Sequence, residues 1–374
     1  MFSRTQPQSR KQGPYSRLFH LAGLLLLISG SLACSFSAAV PTLAPTQPLE
    51  TQPATTQAPV EEQGSLFTVT TISVGVDPLG PYQTPPFYLE MGGGHYLLYQ
   101  MDSKQLIYDG QVVYSGDLAL WGREALALSR NGEHYAYVLL APEGGNFHDL
   151  YIDGVKVTTA DLLANPAVTD DGQHYFYTGC LSASGFTGSC LFRDGKDVFL
   201  HADGILDYSI NRNGDTYLAS LRSFDANNSF VEALVLNGTE VYKGRELANG
   251  KLLSPSGAHY AYITLDDNNQ QHLVVDGAEQ RSSGALILQQ VTDQGAVCVW
   301  DSAQGVAVIN GQEIPVSPEG IQCFLSDDGS HILLNNGGWT LDGQPVQFPG
   351  VDPDDVIARV EWTGAGWHVY RLVK

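Results

Sequence analysis

Positive charge is scarce in this chain: 19 Lys and Arg stand against 40 Asp and Glu, a formal net charge of −21. Four of the basic residues, Arg4, Arg10, Lys11 and Arg17, fall at the start, and none recurs before Lys104. Such a body has little with which to hold a phosphate backbone, where affinity comes mostly from neutralising Lys and Arg, so no nucleic-acid partner is expected. Catalytic signatures are missing as well. There is no Gly-x-Ser-x-Gly elbow, no His-Glu-x-x-His, no glycine-rich phosphate loop and no ordered Asp-x-Asp-x-Asp-Gly calcium loop, so neither an enzyme nor a cofactor is expected. The acidic runs at Asp266-Asp267, Asp327-Asp328 and Asp352 with Asp354-Asp355 read as solvated loops.

What is present is a globular composition, 43% hydrophobic and only 16% charged, with 40 Gly and 19 Pro suited to many short strands and turns. The first segment stands apart. A basic head precedes the uncharged residues 18–40, centred on Leu24-Leu25-Leu26-Leu27-Ile28 and followed by Ser31-Leu32-Ala33-Cys34, the arrangement of an export signal. This stretch resembles a bacterial lipoprotein signal, which implies lipidation of Cys34, although Ser31 stands where that pattern has an aliphatic residue. An uncleaved signal anchor is the alternative, because 23 uncharged residues can span a bilayer. With Lys and Arg confined to one side, both readings place the remaining chain outside the cytoplasm, held at the membrane. Residues 1–34 are therefore read as the signal and the Pro- and Thr-rich residues 35–64 as an extended tether.

From about residue 86 to the C-terminus the chain repeats itself. A first turn marker recurs eight times at 34 to 43 residues, as Asn131-Gly132, Asp171-Gly172, Asn213-Gly214, Ser256-Gly257 and their weaker counterparts. A second closes the following strand seven times, at Asp109-Gly110, Asp153-Gly154, Asp194-Gly195, Asn237-Gly238, Asp276-Gly277, Asn310-Gly311 and Asp342-Gly343. Asn-Gly and Asp-Gly tolerate the positive φ that tight hairpins demand. Each unit is thus a chain of hairpins that cannot bury its own faces and must stack on its neighbours, which is the logic of a β-propeller blade.

Strand composition sets depth. His134-Tyr135-Ala136-Tyr137-Val138-Leu139-Leu140 is apolar on both faces, as a strand covered on each side must be, whereas Lys156-Val157-Thr158 and Gln312-Glu313-Ile314-Pro315 carry the charge and proline of an outer edge. The last unit lacks a second marker. Residues 66–74 have strand composition but no marker, so they are expected to complete the eighth blade and close the ring against the C-terminal strand. The expected fold is all-β, a propeller of eight blades of four antiparallel strands over residues 65–374, with seven blades as the alternative.

The fragments Leu128-Ser129-Arg130-Asn131-Gly132 and Leu253-Ser254-Pro255-Ser256-Gly257 resemble the Ser-Pro-Asp-Gly motif of the WD-like repeats of TolB-like propellers. That family implies an interaction platform in envelope assemblies, or a lid in serine peptidases whose hydrolase domain the 374 residues do not include. Ser326-Asp327-Asp328-Gly329 and Thr169-Asp170-Asp171-Gly172 are superficially similar to the Asp-box of sialidase-type propellers, but the spacing and the missing Trp depart from it; a glycosidase is the runner-up reading.

His95, His134, His174, His259 and His331 share one repeat position. Metal donors must approach one ion to about 2 Å, while stacked sheets are about 10 Å apart, so these residues are expected to be structural and no metal site is expected. Cys180 and Cys190 flank a loop between antiparallel strands and are expected to form a disulfide; Cys298 and Cys323 lie on consecutive blades, where a cross-blade pairing is open. The longest connections, residues 141–149, 181–189, 223–230 and 265–271, all join second to third strands and so share one face. Phe147, Phe186, Phe224 and Phe230 on them are the expected contacts of a protein or small ligand. The expectation is a monomeric, membrane-tethered, non-catalytic binding scaffold of the cell envelope, with a purely structural envelope protein as the other alternative.

Overall fold

The computed structural model describes residues 66–78 and 86–374 apart from 121–123, 143, 181–188, 202–203, 226–228, 246, 248–249, 318–320 and 353–354. Cys34, the signal and the tether lie outside the described residues. No α-helix occurs among those described.

Seven turns with an invariant conformation generate the architecture. Asp109, Asp153, Asp194, Asn237, Asp276, Asn310 and Asp342 hold φ between 45° and 52°, and the glycine after each lies between 75° and 80°. Two successive positive φ values match the right-handed twist of the flanking strands, so the third and fourth strands of each unit fold tightly onto one another. The product is a β-propeller of eight sheets in chain order. Blade two is representative: Leu126–Leu128 is innermost, followed outward by Tyr135–Leu140, Phe147–Ile152 and Val155–Asp161.

Burial follows that order. In blade two the first four residues of the second strand are buried, whereas the first three of the outer strand are exposed. Outer strands end in the same way at Ala278–Ser283, Gln312–Pro315 and Gln344–Pro345. The charge and proline on them blunt the free edge. Between blades, tyrosines stack: Tyr114 of blade one lies 5.5 Å from Tyr137 of blade two, which lies 5.0 Å from Tyr151. The contact is closest at the first marker, where a Cβ on Gly132 (φ 76°) would lie 2.0 Å from the carbonyl oxygen of Gly92 in blade one. Only glycine fits there.

The eighth sheet closes the ring. Its inner strand is Val356–Trp362, its second Trp367–Val373, and its third the N-terminal Phe67–Ser73, so the two chain ends do pair. Seven sheets have four strands; among the described residues this one has three, and the N-terminal strand runs parallel to its neighbour, Phe67 opposite Trp367 through Ser73 opposite Val373. The direction follows from connectivity. A second strand ends where the next blade's first strand begins, so a closing strand that must leave toward Phe87 of blade one has to run the same way. It has the direction of an outer strand but sits one place inward, because the C-terminal unit supplies no third strand.

Candidate functional site

The ring has two ends. One carries the turns between first and second and between third and fourth strands; the other carries the second-to-third loops and the passages to the next blade.

At the turn end, the shared histidines are clamps. His95, His134, His174, His259 and His331 each place Nδ1 between 2.5 and 2.9 Å from one oxygen of Asp109, Asp153, Asp194, Asp276 and Asp342 of the same blade. The other carboxylate oxygen accepts the next residue's backbone N–H. No group of His, Cys, Asp and Glu among the described residues is arranged to hold a metal. The Asp-box look-alikes are also turn-formers. Asp328 accepts the Ser326 hydroxyl at 2.6 Å and the Ser330 N–H at 3.0 Å, and the Ser326 hydroxyl foremost holds its carboxyl down to about 2. Asp171 does the same with Thr169 and Gln173. Asp266 accepts the N–H groups of Asn268 and Gln270 within its own loop, and Asp355 pairs with Arg371 at 3.0 Å.

The residue before the marker is Arg130, Asp170, Arg212, Pro255, Asp293 or Asp327 in blades two to seven, and Arg130, Arg212, Pro255 and Asp327 border the axial cavity. These turns are tied blade to blade: Asn131 N–H donates to Asp170, Asp170 N–H to the Arg212 carbonyl, Arg212 N–H to the Pro255 carbonyl and Ser256 N–H to Asp293. Beneath this belt lies a cavity of about 390 Å³, walled by the inner strands of blades five to eight and bordered by Arg130, Arg212 and Arg359. Arg212 pairs with Asp327 at 2.7 Å and Arg359 with Glu361 at 3.1 Å. Glu361 also accepts the Tyr370 hydroxyl at 2.5 Å, and that oxygen accepts the Gly94 N–H at 2.8 Å, joining blade eight to blade one. This axial group of arginines was not singled out from sequence. For Arg130 and Arg212 the signal was available in the varying residue of the recurring marker, but which copies meet across the axis, and that Arg359 of an inner strand joins them, depends on the ring.

At the loop end, three of the expected contact residues are exposed: Phe147 at 45%, Phe224 at 44% and Phe230 at 40%. Phe224 and Phe230 are opposite each other at the tip of blade four, their rings edge to face at 6.4 Å, with the Arg222 guanidinium 5.8 Å from the Phe230 ring. Leu140 of blade two, read from sequence as part of a covered strand, and Leu162 of blade two and Leu206 of blade four, not singled out from sequence, are exposed at the same end. Phe186 lies outside the described residues. So does the Cys180 side chain; its backbone is opposite Ser189, while buried Cys190 is opposite Gly179, so the expected Cys180 to Cys190 pairing rests on an undescribed group. A disulfide joins Cys298 of blade six to Cys323 of blade seven, Cα atoms 6.4 Å apart.

No family model matches the chain, and no curated protein matches it. Among solved structures it is similar to Kuenenia stuttgartiensis hydrazine synthase, at 13% identity over 74% of this chain and 100% of that one, TM-score 0.37. It is also similar to TolB from Acinetobacter baumannii, at 12% identity over 60% of this chain and 61% of that one, TM-score 0.31. Pyrococcus horikoshii acylaminoacyl peptidase matches at 10% identity over 61% of this chain and 45% of that one, TM-score 0.37. The chain thus spans less than two thirds of the TolB and of the peptidase. Likenesses at this level assign no activity, partner or process.

Proposed function

We propose that the protein is a monomeric, non-catalytic propeller, tethered to the membrane through Cys34 or its signal segment, that presents its loop end outside the cytoplasm to a protein partner. The observation that carries the reading is the group of exposed apolar side chains, Leu140, Phe147, Leu162, Leu206, Phe224 and Phe230, at one end of blades two and four. Ordinary surfaces scatter such residues singly; aromatics gathered on rigid strand tips are what partner surfaces use as anchors. Against catalysis, Asp327 and Glu361 at the axis are each bound to an arginine rather than left to act as an acid and base pair. For the tether, the basic head, apolar core and Pro-rich spacer are the supporting features.

A photoreactive phenylalanine at position 147 or 230 should cross-link a discrete protein in intact cells. The same group at Val198, on the outer edge of blade three, should not. Equal yields from both positions would remove the loop end as the partner surface, and loss of lipid labelling in Cys34→Ser would separate the lipid anchor from the signal anchor.

A further inference from the structure

At the opposite end of the ring lies a second feature, independent of the loop-end reading. Arg130 reaches across the channel from blade two, its Nη2 donating to the carbonyls of Leu253 in blade five at 3.3 Å and Ile210 in blade four at 3.5 Å. Both contacts are long, and most of its five N–H donors make no hydrogen bond among the described residues. Its neighbours differ: Arg212 has Asp327 at 2.7 Å and Arg359 has Glu361 at 3.1 Å, whereas Arg130 makes no ion pair among the described residues. The surrounding protein, and then the charges of Arg212 and Arg359, push its proton affinity below the ordinary arginine value. Arg130 is itself exposed to solvent at the mouth of the cavity, so its guanidinium is hydrated there and stands open to a ligand.

We propose that the central channel binds a small organic monocarboxylate with an apolar body, its two oxygens held by the fork of Arg130. A guanidinium matches a carboxylate in width and plane and gives two parallel charge-assisted hydrogen bonds. A single charge on the ligand is what the surrounding carboxylates tolerate. Asp327 and Glu361 already neutralise two of the three arginines, and the fields of Asp170 and Asp293 also reach Arg130, so a second negative charge on the ligand would meet repulsion. Leu252, Val291, Phe324 and Val360 border the cavity among its polar residues and offer apolar contact to the ligand's body. Its amides are already committed. Gln289 and Gln290 each exchange hydrogen bonds with the backbone of the adjacent inner strand, leaving them little for a ligand. A cavity of about 390 Å³ is the size used for small molecules.

Calorimetric titration of the full-length protein with 3-phenylpropionate and with 3-phenylpropanamide, its uncharged counterpart, tests the assignment. The acid should bind at least tenfold tighter than the amide. Arg130→Gln should lose that preference at an unchanged melting temperature, and Arg130→Lys, which keeps the charge without the planar fork, should fall between. Equal binding of acid and amide, no heat from either at millimolar concentration, or an Arg130→Gln protein that binds like the parent would overturn it. So would a peptide ending in phenylalanine that binds more than tenfold tighter than the free acid, since the site would then be made for chain ends. The loop-end residues take no part in these readouts, so either proposal can fail alone.

Discussion

His134 Nδ1 lies 2.7 Å from one oxygen of Asp153, and the other oxygen of that carboxylate accepts the backbone N–H of Tyr135 at 3.0 Å. One side chain thus binds the start of the second strand to the turn between the third and the outer strand, in the conformation of positive φ that only a few residue types adopt. Blade four is an internal control. There Thr216 replaces the histidine and Asn237 the aspartate, and the asparagine still accepts the Tyr217 N–H at 2.8 Å. Blade four thus keeps the backbone bond without the ring contact. Asp153→Ala is expected to cost about 1–2 kcal/mol by leaving that N–H and the His134 ring without their acceptor, while Asp153→Asn, which keeps the amide acceptor, loses less than half as much. Urea unfolding of both variants checks this; equal losses would show that the ring contact, not the backbone bond, is the stabilising element.

The repeat, the depth of each strand and the closing of the ring were legible because each rests on local chemistry. Asp153-Gly154 announces its turn by itself, and Tyr135-Ala136-Tyr137 announces its burial by being apolar on both faces. The direction of the closing strand was not legible in the same way. Residues 67–73 have one composition whether they run parallel or antiparallel, and their direction is set by where blade one must begin. The axial arginines were hidden for a related reason: Arg130 and Arg212 precede the first marker and Arg359 lies on an inner strand, far apart in sequence, and they border one cavity only because the sheets are arranged around one axis. Exposure of Phe147 and Phe230 was readable from their loops, whereas Leu140 looked like core and is exposed because it is the last residue of its strand.

Removal of residues 65–76 tests the closure. That segment carries the third strand of blade eight, with Ile72 fully buried and Val74 nearly so, and Ile72 packs with Leu98 of blade one and Tyr370 of blade eight. Without it the Trp367–Val373 strand becomes an uncovered edge and the first and last blades lose their shared core. A ring whose units are each unstable alone should then unfold blade by blade. The expected result is a broad urea transition with a lowered m-value; a truncated protein that unfolds as sharply as the parent would mean that the closing pairing is dispensable.

Acid should loosen the same seam. His368 is buried on the second strand of blade eight, 2.8 Å from the Thr70 hydroxyl of the closing strand. Burial foremost lowers its proton affinity, with nearby His95 acting in the same direction and Glu361 against it. The unfolded chain takes up a proton near pH 6.5 that the folded one refuses, so stability is full above that value and falls as pH drops below it. The slope is at most about 1.4 kcal/mol per pH unit for one group. His272, whose proton affinity is raised foremost by Glu279, acts in the opposite sense. Comparing the parent with His368→Gln isolates the first effect: the variant is expected to be less stable at pH 7.5 but to lose less between pH 6.5 and 5. Parallel pH profiles for the two proteins would exclude His368 as the source.

The disulfide between Cys298 and Cys323 crosses from the second strand of blade six to the inner strand of blade seven, so it staples neighbouring blades rather than strands of one sheet. Closing a loop of 25 residues restricts the unfolded chain by about 3.5 kcal/mol on the chain-entropy account. The staple has company. Cys323 N–H donates to the Gln289 side chain at 2.7 Å, Leu325 N–H donates to Gln290 at 2.6 Å, and both cysteines lie in a shared core with Ile309, Leu325 and Leu334. Replacing both cysteines by alanine should therefore lower stability by roughly 2–4 kcal/mol while the protein still unfolds in one step, because the amide zipper and the core continue to join the two blades. Urea unfolding under oxidising conditions, with thiols counted by alkylation before and after reduction, measures both parts. An oxidised parent no more stable than the double variant would show that the cross-link restrains nothing the zipper does not already hold, and two separate transitions in the variant would show that the cross-link alone holds the blades together.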